Sequence, residues 1–153
     1  MTKHILIGGY LHKASDHGKA MYQEAIKSLH QPINILICLF ARPFNQWGKL
    51  FKNTVDFFKE NLRDIELRFE LANRENIINQ LNNNHIIFLS GGDSSLLDKR
   101  ISELPNWYKC IDNKVLIGSS ASTDMLSTYN FDLEHFECSC GLGLVPVKTM
   151  VAL

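Results

Sequence analysis

Apolar residues along the chain keep two different periods by turns. Short, nearly continuous apolar runs of strand length stand at 3–9, 33–41, 85–90 and 114–118, each bounded by glycine, proline or a polar cluster. The run 33–41, INILICLFA, is apolar almost throughout, as a strand buried on both faces must be. Residues 65–71 behave differently. Ile65, Leu67, Phe69 and Leu71 alternate with Glu66, Arg68 and Glu70, which predicts a strand with one wetter face toward a sheet edge.

Between these runs apolar residues recur at three- and four-residue spacing. Met21, Ala25 and Leu29, with Tyr22 and Ile26 beside them, predict a helix over 16–30, capped by Asp16 and ended by Pro32. Leu50, Phe51, Thr54, Val55, Phe58 and Leu62 predict a second helix over 44–61 with a broad apolar stripe, and Trp47 is expected to pack near its start. Ile77, Ile78 and Leu81 predict a third over 73–84, which Asn82, Asn83 and Asn84 terminate. Residues 94–104 and 121–126 read as two more. Beyond them, 128–140 is polar and aromatic, the pattern of a loop with one short irregular strand.

Strand and helix alternate five times, which argues for a mostly parallel sheet with helices on both faces, a three-layer α/β sandwich. At 153 residues the chain has room for one domain with a real core and not for two, so 1–153 is expected to be a single domain. Ligands of such sheets bind at the carboxyl ends of the strands. That directs attention to two ends: Gly91-Gly92-Asp93 after the fourth strand, and Gly118-Ser119-Ser120 after the fifth.

The stretch KVLIGSSASTDML, 114–126, is strand, tight turn carrying a serine, then helix. This is the geometry of a nucleophile elbow, with helix-start N–H groups aimed where an oxyanion would form. It is also the pattern of an ordinary βα turn with a serine N-cap. Other site patterns fail. Gly18-Lys19 lacks the Walker spacing and is followed by Ala20, and the glycines after the first strand do not match a dinucleotide loop. His135, Cys138 and Cys140 form His-x-x-Cys-x-Cys, which is not a usual zinc arrangement. His4, His12, His17 and His30 lie far upstream and read as solvated or capping residues. Asp124 reads as an exposed helix residue. No metal and no cofactor is expected.

Sixteen basic and sixteen acidic residues cancel, so nothing draws the chain toward nucleic acid or an anionic membrane. No apolar run approaches membrane-spanning length. Four cysteines without an export signal read as free thiols of a cytoplasmic protein.

At three stretches, IIFLSGGD (86–93), GSSAST (118–123) and GLGLVP (141–146), the chain resembles a known family. It is similar to the serine peptidases of the dipeptidase E and cyanophycinase type, whose fold is that of the class I glutamine amidotransferases, flavodoxin-like in its layers. Their pattern is a strand ending in Gly-Gly-Asn or Gly-Gly-Asp, then Gly-x-Ser-Ala-Gly-Ala, then Gly-Leu-Gly-Leu-x-Pro. The resemblance implies Ser120 as nucleophile, with oxyanion N–H groups from Gly92 and Ala121. It implies substrate contacts at Gly91 and Asp93, and an acid at Glu134 or Asp132. Small or acidic peptides are the implied substrates, for which Arg42 is the candidate cation. Two departures stand out. Ser122 replaces the family's second glycine, and the family's catalytic histidine position falls on Ala152.

Family members continue for several elements past this point. The chain is therefore expected to lack the C-terminal elements, and a bared sheet edge is expected to favour a homodimer or aggregation. Two functions follow. One is a serine-type hydrolase of small peptides, with this chain as an amino-terminal part or divergent form of it; His135, downstream of the serine, reads as a surface loop residue rather than a substitute base, and no catalytic histidine is identified. The other is a catalytically silent relative serving as a binding or assembly module. Glutamine amidotransferase activity ranks last, because those enzymes carry a cysteine at the elbow and none lies there.

Overall fold

A computed structural model describes residues 1–9, 18–104, 106–132 and 136–150. Its centre is a five-stranded, wholly parallel sheet of β1 (Lys3–Ile7), β2 (Ile33–Cys38), β3 (Leu67–Leu71), β4 (Ile86–Leu89) and β5 (Val115–Ser119), in the order β1-β5-β4-β2-β3. The strongly apolar β2 is interior and the alternating β3 lies at an edge, as their patterns predict. Each strand sends alternate residues to opposite faces. Ile33, Ile35 and Ile37 of β2 face α1 (Lys19–Ile26) and α2 (Trp47–Asn61), meeting Met21, Tyr22, Ala25 and Phe58. Leu36 and Cys38 face the other layer, α3 (Ile77–Asn83), α4 (Ser94–Ser102) and α5 (Ala121–Leu126), meeting Leu81, Leu97 and Leu126. Leu36 and Ile37 are fully buried, and burial of each such side chain stabilises by about 1.5–3 kcal/mol.

Several boundaries move for identifiable reasons. The apolar run that predicts strand to residue 41 leaves the sheet after Cys38. Leu39, Phe40 and Ala41 remain buried, but in a turn closed by the Arg42 N–H donating to the Leu39 carbonyl at 2.9 Å. The run reports burial there, not extension. Helix α1 begins only at Lys19, behind Gly18 in the left-handed region (φ 79°); the proposed cap, Asp16, lies outside the described residues. Both α2 and α3 are entered through short 3₁₀ turns, Phe44–Gln46 and Arg74–Asn76.

The largest correction concerns residues 128–140. They hold two strands, β6 (Tyr129–Asp132) and β7 (Glu137–Cys140), paired antiparallel, and β8 (Lys148–Thr149) adds parallel to β6 as a second, three-stranded sheet. Every residue of β7 is exposed, so no apolar period marks it in the sequence. Among the described residues no helix is long and apolar enough to cross a membrane.

Candidate active site

β5 ends at Ser119 and α5 starts at Ala121, so Ser120 alone forms the corner. Its φ of 51° and ψ of −119° fall where residues with a side chain rarely sit, a strain on the order of 1–3 kcal/mol. The surroundings hold it there. The Ser120 N–H donates to the Ile7 carbonyl at 2.9 Å, and its carbonyl accepts from the N–H groups of Thr123 and Asp124 at 2.7 and 3.2 Å. The Thr123 hydroxyl lies 2.8 Å from both the Ile7 and Gly118 carbonyl oxygens. Gly118 lets helix and strand close up, since a β-carbon there would lie 2.8 Å from Leu126 Cδ1. Ser120 is half-buried, and its hydroxyl has no hydrogen-bond partner among the described residues.

The paired glycines stand directly against this corner. A β-carbon on Gly91 would lie 2.6 Å from Ser120 Cβ and 2.7 Å from the Ser119 carbonyl oxygen. Gly92 has φ 152°, and a β-carbon on it would meet the Ala41 carbonyl oxygen at 2.3 Å. Among the described residues no carbonyl accepts from the N–H of Gly92 or of Ala121. The corner thus combines a strained serine backbone, a hydroxyl without a described partner and, at Gly92 and Ala121, N–H groups that no described carbonyl accepts.

Ser122, the departure from the resembling pattern, is fully buried, and its hydroxyl donates to the Ser90 carbonyl at 2.7 Å. It ties α5 to the end of β4. The GLGLVP stretch has a clear structural part as well. The N–H groups of Leu142, Gly143 and Val145 donate to the carbonyls of Met125, Ser127 and Leu126 at 2.7, 2.9 and 2.9 Å, satisfying the orphan acceptors at the end of α5. Gly141 admits this close approach, because a β-carbon there would lie 2.3 Å from the Ser127 carbonyl oxygen.

Ser120, Gly92 and Ala121 open on a cleft of about 1020 Å³ between α4, α5 and the small sheet. A hollow of about 1220 Å³ beside Phe44 and Ile77 contains none of the corner residues. The cleft wall carries Asp93, Asp98, Asp124 and Asp132, and among the described residues no lysine, arginine or histidine. Asp93 is committed in part: its Oδ1 accepts from the Leu96 N–H at 2.8 Å and caps α4. Burial raises the Asp98 carboxyl above its ordinary value. Asp124 corrects the expectation of an exposed helix residue, for it is half-buried under β8 and accepts from Thr149 Oγ1 at 2.7 Å. Burial first, then the Asp132 charge, pushes its carboxyl up, against the lowering effect of the Thr149 hydrogen bond.

Arg42, the candidate substrate cation, is turned to another use. Its Nε donates to the Gly91 carbonyl at 2.6 Å, and it does not line the cleft. Glu134, His135 and Ala152 lie outside the described residues. Among the described residues no group of three or more His, Cys, Asp or Glu side chains is placed to hold a metal.

No protein-family model matches the chain, and neither does any curated protein. Solved structures do. The chain is similar to a candidate peptidase E protein from Listeria monocytogenes EGD-e at 18% identity and a TM-score of 0.61, covering 84% of this chain and 63% of that one. It is also similar to a peptidase from an acI-B1 Actinobacterium at 21% identity and a TM-score of 0.58, covering 92% of this chain and 64% of that one. The chain thus has the α/β fold of these structures and spans less than two thirds of their length.

Proposed function

We propose that the chain is a peptidase-like serine hydrolase of small peptides, with Ser120 as nucleophile and the Gly92 and Ala121 N–H groups as oxyanion donors. The observation that carries this reading is the strained Ser120 corner, its hydroxyl unpartnered, packed against Gly91-Gly92 at the mouth of a cleft. Ser120 Oγ attacks the scissile carbonyl, its proton passes to a base, and the two N–H groups receive the negative oxygen.

The wall charge narrows the substrate. Four aspartates, with no described lysine or arginine among the lining residues, favour a peptide whose ammonium group or basic side chain enters the cleft. Acidic side chains, implied by the resemblance, find no described cation there. A fluorophosphonate probe tests the assignment: covalent labelling that Ser120→Ala abolishes supports it, and labelling that survives the substitution refutes it.

A second reading rests on a specific observation. No described histidine lines the cleft, and a serine without a base keeps only a small residue of its rate. On that reading the chain is a silent relative that binds peptides in the same cleft. It is separated from the first by calorimetric titration of small peptides together with labelling: binding without labelling selects the silent module.

A further inference from the structure

The Gly91–Gly92 peptide unit carries two groups that face opposite ways. In a trans peptide the carbonyl and the N–H are antiparallel, and Gln31–Pro32 is the cis peptide among the described residues. The Gly91 carbonyl is gripped by Arg42 Nε at 2.6 Å. The N–H of the same unit, that of Gly92, therefore points away from the guanidinium, and no described carbonyl accepts it.

Arg42 is itself held at its backbone. Its N–H donates to the Leu39 carbonyl at 2.9 Å. Its carbonyl accepts from Trp47 Nε1 at 2.9 Å and from an Arg100 guanidinium nitrogen at 2.7 Å. Arg100 is buried, stacks over the Phe44 ring at 4.4 Å from its centroid and also donates to the Phe40 carbonyl at 2.8 Å. On the other side the Asp93 N–H donates to the Ala41 carbonyl at 2.9 Å. The turn after β2 and the glycine turn after β4 are thus fastened together on both sides of the peptide in question. Among the described residues no backbone hydrogen bond of Gly91 or Gly92 does this, and two adjacent glycines have more conformational freedom than any other pair.

We propose that Arg42 is a positioning residue for the oxyanion site: its guanidinium fixes the Gly91–Gly92 peptide and polarises the Gly92 N–H that stabilises the negative oxygen. The inference rests on the reading of Ser120 as nucleophile. A charge-assisted bond to the carbonyl draws electron density from the amide and makes its N–H a stronger donor. It also removes the peptide flip that glycines otherwise permit, so the donor needs no reorganisation when charge develops. Arg42 touches neither substrate nor reacting atoms.

The test uses the full chain carrying Arg42→Ala, Arg42→Gln and Arg42→Lys, with thermal unfolding measured on each. The fluorophosphonate labelling rate is expected to fall about ten- to a hundredfold in the alanine and glutamine variants, less than outright loss of an oxyanion donor costs. Partial recovery is expected in the lysine variant, which keeps a charged donor. The loss should lie in the rate at saturating probe, with probe affinity changed little. A second readout needs no activity. The ¹³C resonance of the Gly91 carbonyl and the ¹⁵N resonance of the Gly92 amide should both move in Arg42→Gln, while resonances on β3 stay in place. Folded variants with unchanged labelling and unchanged Gly91 and Gly92 resonances would overturn the proposal. Absence of Ser120-dependent labelling in the unsubstituted chain would instead end the hydrolase reading, and the two resonances would still decide whether Arg42 sets the peptide.

Discussion

Gly91 and Ser120 are packed so closely that a single methyl group does not fit between them: a β-carbon on Gly91 would come within 2.6 Å of Ser120 Cβ. Gly91→Ala must therefore push the glycine turn or the serine corner out of place. The expected cost is about 1–3 kcal/mol of stability, as for other overpacked sites, with loss of most fluorophosphonate labelling. Urea unfolding and labelling rate measure the two together. An alanine variant as stable and as reactive as the parent would show that the two turns are not in contact in solution.

The Ser122 hydroxyl ties the elbow helix to the end of β4 through the Ser90 carbonyl. Ser122→Ala leaves that acceptor without this donor in a fully buried setting and is expected to lower stability by about 1–2 kcal/mol. Denaturant titration checks the value. No measurable loss would mean that the Ser122 hydroxyl contributes nothing to the join between α5 and the end of β4.

How much of this was legible beforehand follows from where the apolar residues sit. The interior place of β2 and the edge place of β3 could be read because burial on two faces and on one face leaves different alternation. The corner at Ser120 and the glycines at Gly91 and Gly92 could be read because strand ends in a parallel sheet share one edge. Arg42 holds the Gly91 carbonyl instead of facing the cleft, because a sequence shows that an arginine follows a strand but not which way it turns. Asp124 looked exposed because its cover comes from β8, two residues that carry no periodic signal. The small sheet leaves no periodic signal for the same reason, since β7 is exposed throughout.

Asp124 should leave a mark on the pH dependence of stability. Its folded carboxyl is held above the ordinary value of 3.8, so the folded state keeps this proton to higher pH than the unfolded state does. The associated stabilisation is present below 3.8 and is lost as pH rises through the folded value. Asp124→Asn keeps an acceptor for Thr149 and removes the titration. The melting temperature of the parent relative to this variant should therefore decline as pH rises from acid toward neutral. Parallel melting profiles over that interval would contradict the raised value.

The acidic wall of the cleft predicts a charge preference. Dipeptides with a lysine beside the scissile bond should be bound or cleaved better than the matching aspartyl dipeptides, and the advantage should shrink as salt is added and screens the four carboxylates. Asp98→Asn should reduce the preference without abolishing labelling. A reversed order, with aspartyl substrates favoured, would show that a cation from outside the described wall governs the cleft.

The most direct measurement is the rate and site of fluorophosphonate labelling, followed by intact mass and peptide mapping, on the parent and on Ser120→Ala across pH. One adduct on Ser120, absent from the variant and forming faster as pH rises, because the attacking group is the deprotonated hydroxyl, is the predicted result. No adduct on Ser120 at any pH, or equal labelling of the variant, would contradict a nucleophilic role for this serine.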